Sequence, residues 1–379
     1  MSVPFVDLKA QHAEVASEVD AGLAEVFART AFIGGPAVGR FEKAFAAYIG
    51  VQHCVGVGNG TDALELAYRA VGVRPGGEVI IPANTFIATA EAVSRIGAVP
   101  VPVEVDPVHL LMDPEAVRAA VGPRTQAIVP VHLFGQVAPM AQITAIAQAA
   151  GVPLVEDAAQ AQGARQDGRA AGTFGVVAGT SFYPGKNLGA AGDAGGVLTD
   201  DADVARTVRV LSAHGSPRKY EHELIGVNSR LDTVQAVVLE AKLRRLDTWN
   251  AARRAAADRY AQLLADVPGV TVPTSAAGNE DIWHLYVVQV DDRDRVLAEL
   301  GAAGIGVGIH YPTPVHLTQA YAGLGLARGA FPVTEAAADR ILSLPMFPHL
   351  TADQQEQVVT ALAAALSGRT ASPPHPVTR

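Results

Sequence analysis

Short apolar runs alternate with segments of helical period between residues 51 and 200, and this alternation limits the folds open to the chain. Apolar residues between the first two runs recur on one helical face. Because strands that are apolar throughout and separated by helices are typical of parallel sheets covered on both faces, the pattern predicts an α/β fold with a mostly parallel sheet. Ligands of such sheets bind at the carboxyl ends of the strands. Seven runs are strand candidates: "HCVGVGN", "EVIIPAN", "VPVPVEVD", "AIVPVHLFG", "VPLVEDA", "GTSFYPG" and "GGVLTDD".

The second half of the chain changes pattern. A long helical stretch covers about 231–264, strand candidates follow at "IWHLYVVQV" and "GIGVGIHYP", and a last helix is predicted near 351–367. A chain of 379 residues is long enough for two domains. We therefore expect a large domain at 1–250, a smaller C-terminal α+β domain at 251–368 and a flexible Pro-rich tail at 369–379.

Charge and cysteine content narrow the class of protein. The net charge of −9 gives no global basic field for nucleic acid or an anionic membrane. The single cysteine, Cys54, excludes an internal disulfide framework, and no His or Cys pair has the spacing of zinc ligands. No signal peptide or membrane span is apparent at the start or along the chain, so a cytoplasmic protein is expected.

A glycine-containing turn at "GVGNGTDALELA" (56–67) joins a predicted strand to a predicted helix. Exposed amides and the helix dipole there favour an anion such as phosphate, although a tight turn followed by a capped helix fits equally. Thr61 stands where the dinucleotide fingerprint needs its last glycine, which gives little support to a nicotinamide cofactor. "GTSFYPGKN" resembles a P-loop only superficially, because its glycine spacing is wrong and Asn187 replaces Ser or Thr.

Acidic and amide side chains follow the strand in "VPLVEDAAQAQGA": Glu156, Asp157, Gln160 and Gln162. An acid there is either a solvated cap or a buried carboxylate, and the buried form needs a cationic partner such as a pyridinium nitrogen. Downstream lie Ser181 and a lysine, Lys186, set among small and aromatic residues. A phosphate turn, an acid and a lysine in this order predict pyridoxal 5′-phosphate (PLP) chemistry. Lys186 would form a Schiff base through its neutral amine, and Asp157 would keep the ring nitrogen protonated.

The same stretches make the chain similar to the DegT/DnrJ/EryC1/StrS aminotransferases, PLP enzymes of fold type I. The similarity covers almost the whole chain, from "FVDLKAQ" to "ILSLPMFPHL", and includes "GNGTDAL", "IPANTFIAT", "VHLFGQ", "SFYPGKNLGAAGDAGG", "NSRLDTVQAVVLEAKL" and "HYPTPVHL". The resemblance implies that Lys186 binds the cofactor aldehyde, Asp157 faces the ring nitrogen, Gln160 contacts the ring hydroxyl and Phe86 stacks on the ring. It implies a phosphate site made of Gly60, Thr61 and Ser181, completed by Asn228 of an adjacent subunit in a homodimer.

The resemblance also implies a reaction. Relatives that dehydrate sugars carry His in place of Lys186, so the lysine favours amino transfer, with L-glutamate as donor by family analogy. "FYPGKNLGAAGDAGG" and "HGSPRKYEHELIGVNSRLD" resemble members that aminate C-3 of a dTDP- or UDP-linked 3-keto sugar, for amino-sugar biosynthesis. The resemblance implies that Tyr183, His310 and Tyr311 line the sugar pocket. In the polar loop, Arg218 and Lys219 are candidates to bind the diphosphate of the substrate, and Tyr220 is a candidate to reach a cofactor or substrate phosphate.

Alternatives to this function remain at the sequence level. The loop around Lys219 fits a solvated charge cluster as well as a diphosphate contact, and His310 and Tyr311 fit core packing. A C-4 keto sugar or cyclitol aminotransferase is the main alternative within the family. A non-catalytic binding protein of the same fold would lack the Schiff base, and a nucleotide-sugar dehydrogenase or epimerase would need a nicotinamide fingerprint.

Overall fold

The computed structural model describes residues 2–368, so the predicted tail at 369–379 lies outside the described residues. The strands are β1 His53–Val57, β2 Glu78–Pro82, β3 Val99–Val103, β4 Thr125–Ile128, β5 Val155–Asp157, β6 Arg165–Gln166, β7 Arg169–Ala170, β8 Val177–Ser181, β9 Gly195–Thr199, β10 Val270–Thr271, β11 Asn279–Glu280, β12 Tyr286–Val290 and β13 Ile341–Leu344. The helices are α1 Leu8–Ala13, α2 Ala16–Arg29, α3 Pro36–Ile49, α4 Gly60–Ala70, α5 Ile87–Arg95, α6 Pro114–Ala120, α7 Met140–Ala150, α8 Ala202–Ser212, α9 Thr233–Leu243, α10 Leu246–Leu264, α11 Arg293–Ala302, α12 Pro332–Arg340 and α13 Ala352–Ser367.

The central sheet contains all seven strands predicted between residues 51 and 200. Strands pair in the orders β1-β9-β8-β5 and β3-β2-β4, and the bridges Ile128–Leu154 and Val131–Asp157 join the two groups beside β5. Only β9 runs antiparallel to its neighbours. The mostly parallel sheet is confirmed, and it brings the ends of β1, β5 and β8 to one edge.

Local sequence explains where several helices begin. Asn59 accepts a hydrogen bond from Asp62 N at 2.8 Å and so caps α4, which starts directly after β1. Asp113 caps α6, which begins at Pro114, and Thr351 forms a capping box with Gln354 at α13. These caps satisfy backbone N–H groups that a helix start leaves without partners.

The C-terminal part has its own antiparallel sheet, β10-β12-β13, packed with α10, α11 and α13 around one apolar core. Val3 belongs to that core, and its backbone pairs with Ile305. The start of the chain therefore packs against the C-terminal part. The boundary predicted at residue 250 falls inside α10, and the helical stretch predicted at 231–264 is two helices. The division into domains stays a prediction.

The prediction of a strand at "GIGVGIHYP" is wrong. Only single bridges form there, from Ile305 to Val3 and from Gly308 to Ser343. Glycine is a poor strand former, and Gly304 has a positive φ of 78°. No helix within residues 2–368 combines the length and apolarity that crossing a bilayer needs.

Candidate active site

A cavity of about 830 Å³ opens where β5 and β8 end at the edge of the central sheet. It is lined by ten of the fourteen residues that the sequence analysis singles out as site residues. These are Gly60, Thr61, Phe86, Asp157, Gln160, Ser181, Tyr183, Lys186, His310 and Tyr311. The fold therefore brings residues separated by up to 251 positions in the chain, Gly60 to Tyr311, into one site.

Asp157, the last residue of β5, presents a buried carboxylate to this cavity. Its Oδ2 accepts a hydrogen bond from Thr89 Oγ1 at 2.8 Å and its Oδ1 accepts one from Ala159 N at 3.1 Å. Burial raises the pKa of Asp157, while these two bonds and the charge of Lys186 act in the opposite direction. Thr89, on α5, was not singled out from the sequence, because nothing local indicates that α5 packs beside β5.

Lys186 lies on the loop after β8, where its backbone N–H donates a hydrogen bond to the Tyr183 carbonyl at 2.8 Å. Burial lowers the pKa of the Lys186 amine to about 8, and the Asp157 carboxylate opposes that shift. Within residues 2–368, its Nζ makes no hydrogen bond or ion pair. An amine with a lowered pKa and no protein partner is suited to nucleophilic attack on a carbonyl.

The turn before α4 meets the end of β8. A Cβ added to Gly60 would lie 2.7 Å from the Ser181 Cβ, so only glycine permits this approach. Gln162 Nε2 donates to the Ser181 carbonyl at 2.8 Å and holds the strand end in place. Gly60, Thr61 and Ser181 thus surround the amino end of an eleven-residue helix, where backbone N–H groups and the helix dipole favour a phosphate.

Aromatic rings form another wall of the cavity. The Phe86 and Tyr311 rings lie 5.0 Å apart, and the Tyr311 hydroxyl accepts a hydrogen bond from Gln160 Nε2 at 3.1 Å. Phe5 stacks on His310 with 5.6 Å between ring centres. No local pattern predicts that Phe5 lies here, although "FVDLKAQ" is one of the stretches that carry the family resemblance.

Four predicted site residues do not reach the cavity of their own chain. Arg218, Lys219, Tyr220 and Asn228 are exposed on the segment between α8 and α9. Arg218 pairs with Glu221 at 3.0 Å, and the Lys219 amine lies 5.0 Å from the centre of the Tyr220 ring. Any role of these residues in catalysis requires a second chain or a movement of the loop.

The cavity fits PLP on the chemistry of its side chains. Asp157 can face a protonated ring nitrogen, Lys186 can condense with an aldehyde, and the amino end of α4 can bind the phosphate. Phe86, with 49% of its surface exposed, can cover one face of a planar ring. Together the fold and this cavity define a PLP-dependent transferase of fold type I.

Comparison with known proteins gives the family. The chain belongs to the DegT/DnrJ/EryC1/StrS aminotransferase family, whose model matches residues 14–363. The resemblance, the fold class and the PLP-dependent aminotransferase activity inferred from the sequence are thereby confirmed.

Curated relatives cover nearly the whole chain. The erythromycin biosynthesis sensory transduction protein EryC1 of Saccharopolyspora erythraea is 50% identical over 96% of this chain and 100% of its own length. The dTDP-3-amino-3,4,6-trideoxy-alpha-D-glucose transaminase of Streptomyces venezuelae is 47% identical over 95% of both chains. The crystal structure of S. venezuelae DesV in complex with a ketimine intermediate superposes with a TM-score of 0.94, at 47% identity, covering 96% of this chain and 98% of the other.

Proposed function

We propose that this aminotransferase moves the amino group of L-glutamate to C-3 of a nucleotide-linked 3-keto sugar, with dTDP or UDP as the nucleotide. The observation that carries the proposal is a cavity lined by both Lys186 and Asp157, whose charges interact, in a chain 47% identical to a dTDP-sugar transaminase. The reaction would supply an amino sugar for biosynthesis.

Each side chain has a defined task in this proposal. PLP, when bound, supplies a ring that accepts the electron pair left on the substrate carbon. Asp157 holds the proton at the ring nitrogen, and its own position is fixed by Thr89 and Ala159 N. Lys186 Nζ would hold the cofactor covalently and, once released, would accept and return a proton as general base and acid. Phe86 shields one ring face from water.

The proposal includes a homodimer with shared sites. Asn228 is exposed on the surface of its own chain, so it is available to a neighbouring cavity. The exposed residues Arg218, Lys219 and Tyr220 would lie beside it and meet phosphate groups of the substrate or cofactor, with Tyr183, His310 and Tyr311 facing the sugar.

The test is incubation of the purified enzyme with glutamate and a panel of 3-keto and 4-keto nucleotide sugars, each as the dTDP and UDP form, and separately with a keto cyclitol. NMR of the product is expected to place the new amine at C-3. An amine at C-4, or amination of a cyclitol only, would contradict the proposal in favour of the main alternative.

Lys186→Ala is expected to fold and to abolish turnover, because no other amine can replace its covalent role. Borohydride reduction of the wild type should fix the cofactor on Lys186, as peptide mapping would show. Lys43→Ala, at an exposed lysine of α3, is the control and should keep full activity. Normal turnover by Lys186→Ala would refute the assigned role.

A further inference from the structure

A buried chain of polar side chains lies behind Lys186. Asn187, the next residue, donates through Nδ2 to the Ile282 carbonyl at 3.0 Å and to Asn250 Oδ1 at 2.8 Å. Asn250 Nδ2 in turn donates to the Gln162 carbonyl at 3.0 Å. Because both backbone carbonyls can only accept, they fix the orientation of the two amide groups.

This orientation determines the tautomer of His284, which lines the cavity beside Lys186. His284 Nδ1 lies 3.2 Å from Asn187 Oδ1, and an amide oxygen can only accept. Nδ1 therefore carries the hydrogen. Burial, together with the positive charges of Lys186 and Arg253, holds the pKa of His284 well below its ordinary range, so the ring is neutral and Nε2 keeps a lone pair.

The free nitrogen faces the cavity. Within residues 2–368, His284 Nε2 has no hydrogen-bond partner and is not fully buried. Because His284 lines the cavity, this nitrogen can be reached from it. The cavity wall near Lys186 thus contains an acceptor that the sequence analysis did not identify.

We propose that His284 is a positioning residue for Lys186: when the lysine amine is not bound to the cofactor and its side chain rotates towards His284, Nε2 accepts a hydrogen bond from it. The conformation of Lys186 in the described residues does not make this bond. The inference rests on the proposed role of Lys186 in proton transfer. A freed lysine has rotatable bonds along its whole side chain, and one acceptor fixed through Asn187 and Asn250 restricts where Nζ can lie. A fixed Nζ shortens the search for the geometry in which the proton moves.

Two substitutions separate this role from packing. His284→Asn keeps an N–H near Asn187 Oδ1 but removes the acceptor in the cavity, whereas His284→Gln can place its carbonyl oxygen near the position of Nε2. The rate of each half-reaction is measured in a single turnover: 2-oxoglutarate release from glutamate without sugar, and amination of the sugar by the aminated enzyme. His284→Asn is expected to slow both half-reactions by about 10²-fold, with little change in the glutamate or sugar concentration that gives half of the maximal rate. His284→Gln is expected to recover part of the lost rate.

A second readout does not depend on turnover. In cofactor-free protein, the pH at which covalent binding of PLP to Lys186 is half-maximal should be lower in His284→Asn than in the wild type, because the protonated amine loses an acceptor.

Two results of the half-reaction measurements would overturn the proposal. If only the sugar half-reaction slows in His284→Asn, His284 is a sugar contact, and if neither rate changes, His284 does not position Lys186.

Wild-type protein supplies a check that needs no variant to fold. Histidine-selective ¹⁵N NMR should show His284 protonated at Nδ1 and unprotonated at Nε2, and the opposite tautomer would refute the inference. Failure of the proposed function has a different signature, since a wild type that releases no 2-oxoglutarate from glutamate is not the proposed enzyme, whatever the state of His284.

Discussion

Lys186 and Asp157 act on one another's protonation across the cavity. Burial favours the neutral form of both side chains, so it lowers the pKa of the amine and raises that of the carboxyl, and each opposes the effect on the other. In cofactor-free protein the amine therefore loses its proton at a lower pH than an ordinary lysine does. The ordinary pKa is 10.5, and in this site it is about 8.

This shift predicts a pH dependence. Only the neutral amine reacts with an aldehyde. The rate at which cofactor-free protein binds PLP covalently should therefore rise with pH and reach its half-maximum near pH 8, and the visible absorption of the bound cofactor measures this rate.

The same shift affects stability. Between about pH 8 and 10.5 the Lys186 amine binds fewer protons in the folded protein than in the unfolded chain, so the free energy of unfolding increases as pH rises through that window.

Lys242 is the necessary comparison, because burial lowers its pKa to about 8 as well. Its Nζ is occupied, donating to the Gly189 carbonyl at 2.7 Å, and it does not line the cavity. Peptide mapping after borohydride should find the cofactor on Lys186 and not on Lys242. A midpoint near 10 at Lys186 would contradict the effect of burial.

At the scale of elements, the site depends on how close α4 lies to β8. Gly60→Ala would force its Cβ to within 2.7 Å of the Ser181 Cβ and move the amino end of the helix. We expect a loss of about 1–3 kcal/mol in the free energy of unfolding, measured by denaturant titration, and weaker PLP binding.

Gly39→Ala is the matched control for this substitution. Gly39 is an exposed position inside α3, and a Cβ there would meet no atom within 4 Å. Because alanine favours a helix over glycine, this variant should be more stable by up to about 1 kcal/mol and bind PLP normally. Equal PLP affinity in the two variants would mean that the turn at Gly60 does not bind the phosphate.

Elements were predicted well where local sequence determines them. Apolar runs identified the seven strands of the central sheet. The sequence was less informative at "GIGVGIHYP", where contacts with Val3 and Ser343, distant in the chain, decide the backbone path. Thr89 and His284 were missed for the same reason, since their partners Asp157 and Asn187 lie 68 and 97 residues away.

At the scale of the whole molecule, the proposed dimer makes each site from two chains. In a heterodimer of Lys186→Ala and Asn228→Ala, one site receives Lys186 from one chain and Asn228 from the other, and so is intact. Random assembly of the two variants would make about a quarter of all sites intact. We expect the coexpressed mixture to exceed the mean activity of the two separate variants.

The control pairs Lys186→Ala with Asp157→Asn. Both side chains belong to the cavity of a single chain, so mixing these variants creates no intact site and should restore no activity. Recovery in this control, or none with Asn228→Ala, would contradict a site shared through Asn228.

The sequence by itself determined the alternation of strands and helices and the order of phosphate turn, acid and lysine. These depend on neighbouring residues, whose periodicity and backbone preferences are local. Only the tertiary structure decided which side chains share the cavity and which nitrogen of His284 is free. Those outcomes depend on contacts between segments far apart in the chain, and on burial, which shifts the pKa of Lys186 and which no local pattern records.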